Sequence, residues 1–131
     1  VSFLSNYILV VDDNYGIRRL LHEFLTQEGF SVKEAPDGLK ALQLVLEEKP
    51  RLVLLDMRMP GLSGMNTLAK IRDLAPETIV ITMSAYIDAK DINEAVLDGR
   101  IKHFIFKPFD LVEVRVLIKD LLNNLYKVSN H

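Results

Sequence analysis

Four apolar runs in this chain each end in a residue able to do chemistry. Residues 8–11 lead into Asp12 and Asp13, residues 52–55 into Asp56, residues 78–83 into Ser84, and residues 103–106 into Lys107 followed by Pro108. Carboxylates gathered at one place cannot all stay ionised unless a cation offsets their repulsion. An all-oxygen donor set with no His or Cys in it suits Mg2+ rather than zinc. A metal-bound carboxylate beside a hydroxyl and an ammonium has the parts needed for phosphoryl transfer. Asp56 would be the nucleophile that forms an acyl phosphate. The metal and Lys107 would neutralise the equatorial oxygens, and Ser84 would hydrogen-bond one of them. Each piece has a plainer reading: Asp12-Asp13 as acids favoured by a helix dipole, Ser84 as a turn cap, Lys107 as a solvated lysine held extended by Pro108. Their occurrence together at successive run ends is what favours chemistry.

That grouping requires elements that bring the run ends to one edge. Residues 52–55 are apolar throughout and lead through Asp56 towards Pro60-Gly61, the pattern of a strand buried on both faces of a parallel sheet. Residues 7–11 repeat the pattern, residues 30–35 alternate as a short second strand, and residues 78–83 and 103–106 supply the fourth and fifth. Between them lie helix-period segments. The first is capped by Asn14, carries Ile17, Leu20, Leu21, Phe24 and Leu25, and stops at Gly29. The second follows a Pro36-Asp37-Gly38 turn, with Leu39, Leu42, Val45 and Leu46 expected inward, and Pro50 stopping it. The third carries Met65, Leu68 and Ile71. The fourth opens at Asp88, with Ile92, Ala95 and Val96 inward and Gly99 at its end. Asp110 and Glu113 suggest a capping box for the last, which is expected to run towards Tyr126 with residues 127–131 frayed. Five strands alternating with five helices imply right-handed crossovers and a three-layer, doubly wound α/β fold. The expected strand order is 2-1-3-4-5, with the crevice at the carboxyl edge.

The totals agree. At 131 residues, 49% hydrophobic and 26% charged, the chain reads as a single domain spanning residues 1–131, its core at about 7–126. A net charge of -2 with scattered basic residues gives no reason to expect nucleic-acid binding, and the absence of cysteine removes disulfides and thiolate chemistry. No apolar run approaches the ~20 residues of a membrane span. No secretory signal is expected and a cytoplasmic location is the expectation; a monomer is expected as well. His22, His103 and His131 are too scattered to form a metal set.

The stretches Val-Val-Asp-Asp, Leu-Leu-Asp-Met-Arg-Met-Pro-Gly, Met-Ser-Ala-Tyr and Phe-Lys-Pro-Phe resemble, as a set, the signature of two-component response-regulator receiver domains, and the resemblance covers residues 8–122 or so. It implies a flavodoxin-like receiver fold with Asp56 as phosphoacceptor. Mg2+ would be held by Asp13, Asp56 and the Arg58 backbone carbonyl, with Asp12 acting directly or through water. Ser84 would be the switch hydroxyl, Lys107 the phosphoryl contact, and the Lys107–Pro108 peptide would be cis. Residues 12–18 and the run through Pro60-Gly61 are further similar to the single-domain phosphorelay intermediates of sporulation, which lack an output domain. Three departures stand out. Ser84 replaces a commoner Thr. Phe104 stands where many receivers have Tyr. Between Gly99 and Lys107 the chain runs one residue longer, with Arg100 in place of a common Ala. That insertion is expected to be absorbed before the fifth strand, leaving Phe104 or His103 at the switch position.

A receiver implies a sensor histidine kinase or a histidine phosphotransfer protein as partner, and slow self-phosphorylation and self-dephosphorylation rather than turnover. The expected docking face surrounds the mouth: Tyr15, Gly16, Ile17 and Leu20 at the start of the first helix, with Pro108 and Phe109. Alternatives are a receiver cut from a larger DNA-binding regulator, an Asp-nucleophile phosphatase and a flavodoxin-like cofactor binder. The phosphatase lacks its second acid, because Arg58 stands two residues after Asp56. A cofactor phosphate would be repelled by Asp12 and Asp13.

Overall fold

The computed structural model describes residues 4–58 and 63–129. Within them the order is β1 (Ser5–Val11), α1 (Tyr15–Gln27), β2 (Val32–Ala35), α2 (Gly38–Glu47), β3 (Pro50–Asp56), α3 (Gly64–Leu74), β4 (Ile79–Ala85), a 3-10 turn (Tyr86–Asp88), α4 (Ala89–Leu97), β5 (His103–Lys107) and α5 (Leu111–Ser129). The five strands are parallel in the order β2-β1-β3-β4-β5, as expected. The turn at Pro60-Gly61 lies outside the described residues.

Strand side chains alternate between two apolar layers. Leu9, Val11, Val53 and Leu55 point to the layer covered by α2, α3 and α4, where Val45, Leu68, Ile71, Ile92 and Ala95 meet them. Ile8, Val10, Leu52, Leu54, Ile81, Met83 and Ile105 face Leu21 and Leu25 of α1 and Val114 and Ile118 of α5. Being covered on both sides is why β1 and β3 read as unbroken apolar runs. The same packing puts their C-terminal carboxylates side by side, since Val11 is paired with Leu55 one residue before each acid.

Three expectations are corrected. Leu39 and Leu46 are exposed, because α2 presents its small residues Gly38, Ala41 and Val45 to the sheet and leaves the leucines on its flanks. Asp37 is the N-cap of α2 rather than part of a preceding turn; its carboxylate accepts from the Lys40 N–H at 2.8 Å. Helix α4 opens after Asp88 as expected, although the Asp88 side chain is taken by Arg58 and a 3-10 turn stands before the helix. The last helix continues to Ser129, past Tyr126. Strand β2 is also shorter than the alternation suggested, and β4 extends through Ser84. Gly29 and Gly99 end their helices at φ 95° and 84°, backbone that favours glycine. In the turn after α4, Arg100 pairs with Asp98.

Candidate functional site at the carboxyl edge

The ends of β1 and β3 bring Asp12, Asp13 and Asp56 together, each offering a carboxylate oxygen within 4.8 Å of the others. Asp12 and Asp56 are buried, at 0% and 4% exposure, while Asp13 faces solvent. From the end of β5, Lys107 reaches across both buried acids: its Nζ is 2.8 Å from Asp12 Oδ2 and 3.5 Å from Asp56 Oδ1. One lysine for three carboxylates leaves the cluster short of positive charge. Burial pushes the Asp56 carboxyl up to about 6, with the Asp12 charge adding to the effect and Lys107 and the Arg58 N–H opposing it. Hard oxygen donors, a negative excess and one exposed acid open to solvent fit a hydrated divalent cation such as Mg2+.

Ser84 enters this edge from β4. It is 4% exposed, and its hydroxyl has no hydrogen-bond partner among the described residues, so a buried polar group waits beside the acids. Arg58 donates its backbone N–H to Asp56 Oδ1 at 3.3 Å and turns its guanidinium outward to Asp88, Nε to Oδ2 at 3.1 Å. This pair ties the exit of β3 to the turn after β4. Between them, Met57, Ser63, Gly64, Ser84, Asp88 and Ile92 are among the residues that line an open cavity of about 440 Å³. The Lys107–Pro108 peptide is cis, as the resemblance implied.

Phe104 does not join the carboxylates. It pairs with Thr82, two residues down the ladder from the Ser84–Phe106 pair, and packs in the layer beneath α4. Its ring meets Phe106 edge-on at 5.5 Å, and Phe106 stacks on Tyr86 at 4.7 Å. Of the candidate docking residues, Tyr15, Gly16, Leu20 and Pro108 are exposed, with Tyr15 at 68% and Leu20 at 50%. Ile17 and Phe109 are half-buried against the α1–α5 layer.

Three features escaped the sequence reading. Asp88 reads from the sequence only as the start of the fourth helix, and nothing in spacing points to Arg58, thirty positions away. Gly64 opens α3 so close to the chain that a Cβ there would lie 2.5 Å from the Met57 Cα. Glu34, on the edge strand, gathers Arg18, Arg19 and His22. Among the described residues no helix is long and apolar enough to cross a membrane.

Comparison with known proteins supports the fold and shows the family. The sporulation initiation phosphotransferase F of Bacillus subtilis is 42% identical over 119 residues, covering 91% of this chain and 95% of that protein. The regulatory protein AtoC of Escherichia coli is 36% identical over 117 residues, of which this chain spans only 25% of the length. A CheY-like receiver domain protein from Methanospirillum hungatei superimposes with a TM-score of 0.85 at 26% identity, covering 93% of this chain and 97% of that one. The family model for the response regulator receiver domain matches residues 8–119, and the chain belongs to that family.

Proposed function

We propose that Asp56 accepts a phosphoryl group from a phosphohistidine, and that the chain, working as one receiver unit, passes it on as a signalling switch or phosphorelay intermediate. The observation that carries this reading is the uncompensated cluster: two buried acids sharing a single lysine, one exposed acid converging on them, and an unpartnered buried hydroxyl on the neighbouring strand. A carboxylate oxygen of Asp56 attacks phosphorus, the P–N bond breaks, and the imidazole leaves with its electron pair and takes up a proton. Asp12, Asp13, Asp56 and the Arg58 carbonyl would hold Mg2+. When bound, the ion neutralises charge on the phosphoryl oxygens. Lys107, already within 3.5 Å of Asp56, is placed to meet one of those oxygens, and the Ser84 hydroxyl to donate to another. Few protein ligands and a strongly hydrated ion argue for weak binding, on the order of millimolar.

The donor must approach in line with Asp56, so the rim of the mouth is the docking face for a sensor histidine kinase or a histidine phosphotransfer protein. Exposed Tyr15 and Leu20, with Gly16, Ile17, Pro108 and Phe109, form that rim on the α1 and β5–α5 side.

The test is intact-mass measurement after incubation with acetyl phosphate. Wild type should gain one phosphoryl group only with Mg2+, and Asp56→Asn none. A phosphorylated Asp56→Asn protein would move the nucleophile elsewhere. Leu20→Ala and Phe109→Ala should stay folded and accept from acetyl phosphate, yet accept poorly from a phosphohistidine protein. Equal loss with both donors would refute the face.

A further inference from the structure

Arg18 has a place in this site that no charge count would assign to it. It lies on α1 with its side chain 14% exposed, and its guanidinium divides between two partners. Nη1 donates to the backbone carbonyl of Asp12 at 2.8 Å, and Nε donates to Glu34 Oε1 at 3.1 Å. Glu34 stands on edge strand β2 opposite Val10, two residues short of Asp12 along β1. The plane of the guanidinium is further flanked by the Tyr15 ring, 5.4 Å from its centre.

These contacts complete the fixing of Asp12. Its N–H donates to the Ala35 carbonyl at 3.2 Å, its Oδ1 accepts from the Asn14 N–H at 2.9 Å, and its Oδ2 accepts from Lys107 at 2.8 Å. The carbonyl is the remaining polar atom, and it belongs to the peptide joining Asp12 to Asp13. With that peptide plane held, the direction in which the chain leaves β1, and hence the placement of the Asp13 carboxylate beside Asp56, is set. Asp13 itself is exposed, so its aim depends on the backbone beneath it.

We propose that Arg18, anchored by Glu34, is a positioning residue for the cation site: it holds the Asp12–Asp13 peptide so that the three carboxylates converge. The inference rests on the cation site of the proposed function. Partners that orient a ligand, rather than touch the metal, commonly change metal affinity by about 10–100-fold when removed. The geometry and the charge of Arg18 pull in opposite directions, which makes the idea testable. If Arg18 acted only as a positive charge near the acids, deleting it would tighten cation binding. If it positions the turn, deleting it loosens binding despite removing a repulsive charge.

Mg2+ is titrated into wild type, Arg18→Met, Arg18→Lys and Glu34→Ala, following backbone amide shifts of Asp13, Asn14 and Met57, with thermal melts of the metal-free proteins alongside. Arg18→Met should bind Mg2+ about tenfold more weakly than wild type. Arg18→Lys keeps the charge but cannot serve both partners in fork geometry, and should fall between the two. Glu34→Ala should weaken binding in the same direction, and the Arg18→Met/Glu34→Ala double variant should be no weaker than the worse single one. Tighter binding by Arg18→Met, or melting temperatures that drop while Mg2+ affinity stays at the wild-type value, would overturn the positioning role and leave the cation site standing. Absence of saturable shifts in wild type would take down both.

Discussion

Two buried hydroxyls sit near opposite ends of β4 and have opposite circumstances. Thr78, just before the strand, donates to the Pro50 carbonyl at 2.7 Å, while Ser84, near its other end, has no hydrogen-bond partner among the described residues. The edges they belong to differ in the same way. At the amino edge Tyr7 donates its hydroxyl to the Glu48 carbonyl, Lys33 pairs with Glu48 at 2.9 Å, and Arg51 donates to Asn6 at 2.9 Å. At the carboxyl edge one lysine is shared between the two buried acids, Asp12 and Asp56. Polar groups that are fully paired contribute to holding the sheet; groups left short of partners cost stability and are ready for a ligand that supplies what is missing.

The largest effect should come from breaking the backbone that frames the unsatisfied edge. A Cβ at Gly64 would lie 2.5 Å from the Met57 Cα and 2.6 Å from its carbonyl oxygen, so α3 must move away from the chain that leaves Asp56. Gly64→Ala should cost about 3 kcal/mol in urea unfolding. It should also weaken Mg2+ binding, because the strain falls on the residue next to Asp56. Full stability with unchanged Mg2+ affinity would mean that this approach is not confining.

Asp56→Asn should act in the opposite direction. Folded Asp56 titrates at about 6 rather than the ordinary 3.8, so between those values the folded protein binds more protons than the unfolded one. Stability therefore falls as pH rises through this window, and the full penalty stands above about pH 6. Removing the charge should make the metal-free variant more stable than wild type by up to about 3 kcal/mol near pH 7, with the difference fading towards about pH 4. Unfolding in the presence of a chelator across that range measures it. A difference that stays level with pH would assign the effect to packing instead of charge.

The contrast between the edges also marks what could be read from the sequence. Strands buried on both faces must be apolar throughout, so β1 and β3 announced themselves, and their terminal acids with them. Ser84 and Lys107 followed from the same rule applied to β4 and β5. The helix stripes were legible only to within a residue either side: Leu39 and Leu46 fit the period of α2, but its sheet-facing line is Gly38, Ala41 and Val45, small enough to pack close. Long-range polar partners left no local trace. Asp88 has the type and position of a cap, yet Arg58 claims its carboxylate across the mouth. Glu34 reads as the solvent-facing member of an alternating edge strand, and only the path of α1 over β2 brings Arg18 to it. Gly64 gave no signal because a close approach depends on the distance between α3 and the end of β3, which no spacing encodes.

At the paired edge, Thr78→Val keeps the side-chain shape and leaves the Pro50 carbonyl without its donor. The expected loss is about 1–2 kcal/mol, with Mg2+ affinity and phosphorylation from acetyl phosphate unchanged. Chemical denaturation and the mass assay together check both halves. A change in phosphorylation would mean that the two edges are coupled through β4.

The smallest stability effect, and the sharpest use of the comparison, belongs to Ser84→Ala. Removing a hydroxyl that has no partner sacrifices no hydrogen bond and relieves a buried polar atom, so metal-free stability should stay within about 0.5 kcal/mol of wild type. The same variant should lose the contact proposed for the hydroxyl when Asp56 carries a phosphoryl group. Lys107 would still meet the phosphoryl oxygens, so acetyl phosphate should modify Asp56 normally. What should shrink is the difference in amide shifts between the unmodified and phosphorylated protein over Tyr86–Asp88, the turn that follows the Ser84 strand and is tied to the mouth by Asp88. If Ser84→Ala instead costs as much stability as Thr78→Val, the hydroxyl already has a partner in the resting protein and the contrast between the edges fails. If stability holds but the shifts over the turn are as large as in wild type, the hydroxyl is spare but takes no part in reporting phosphorylation.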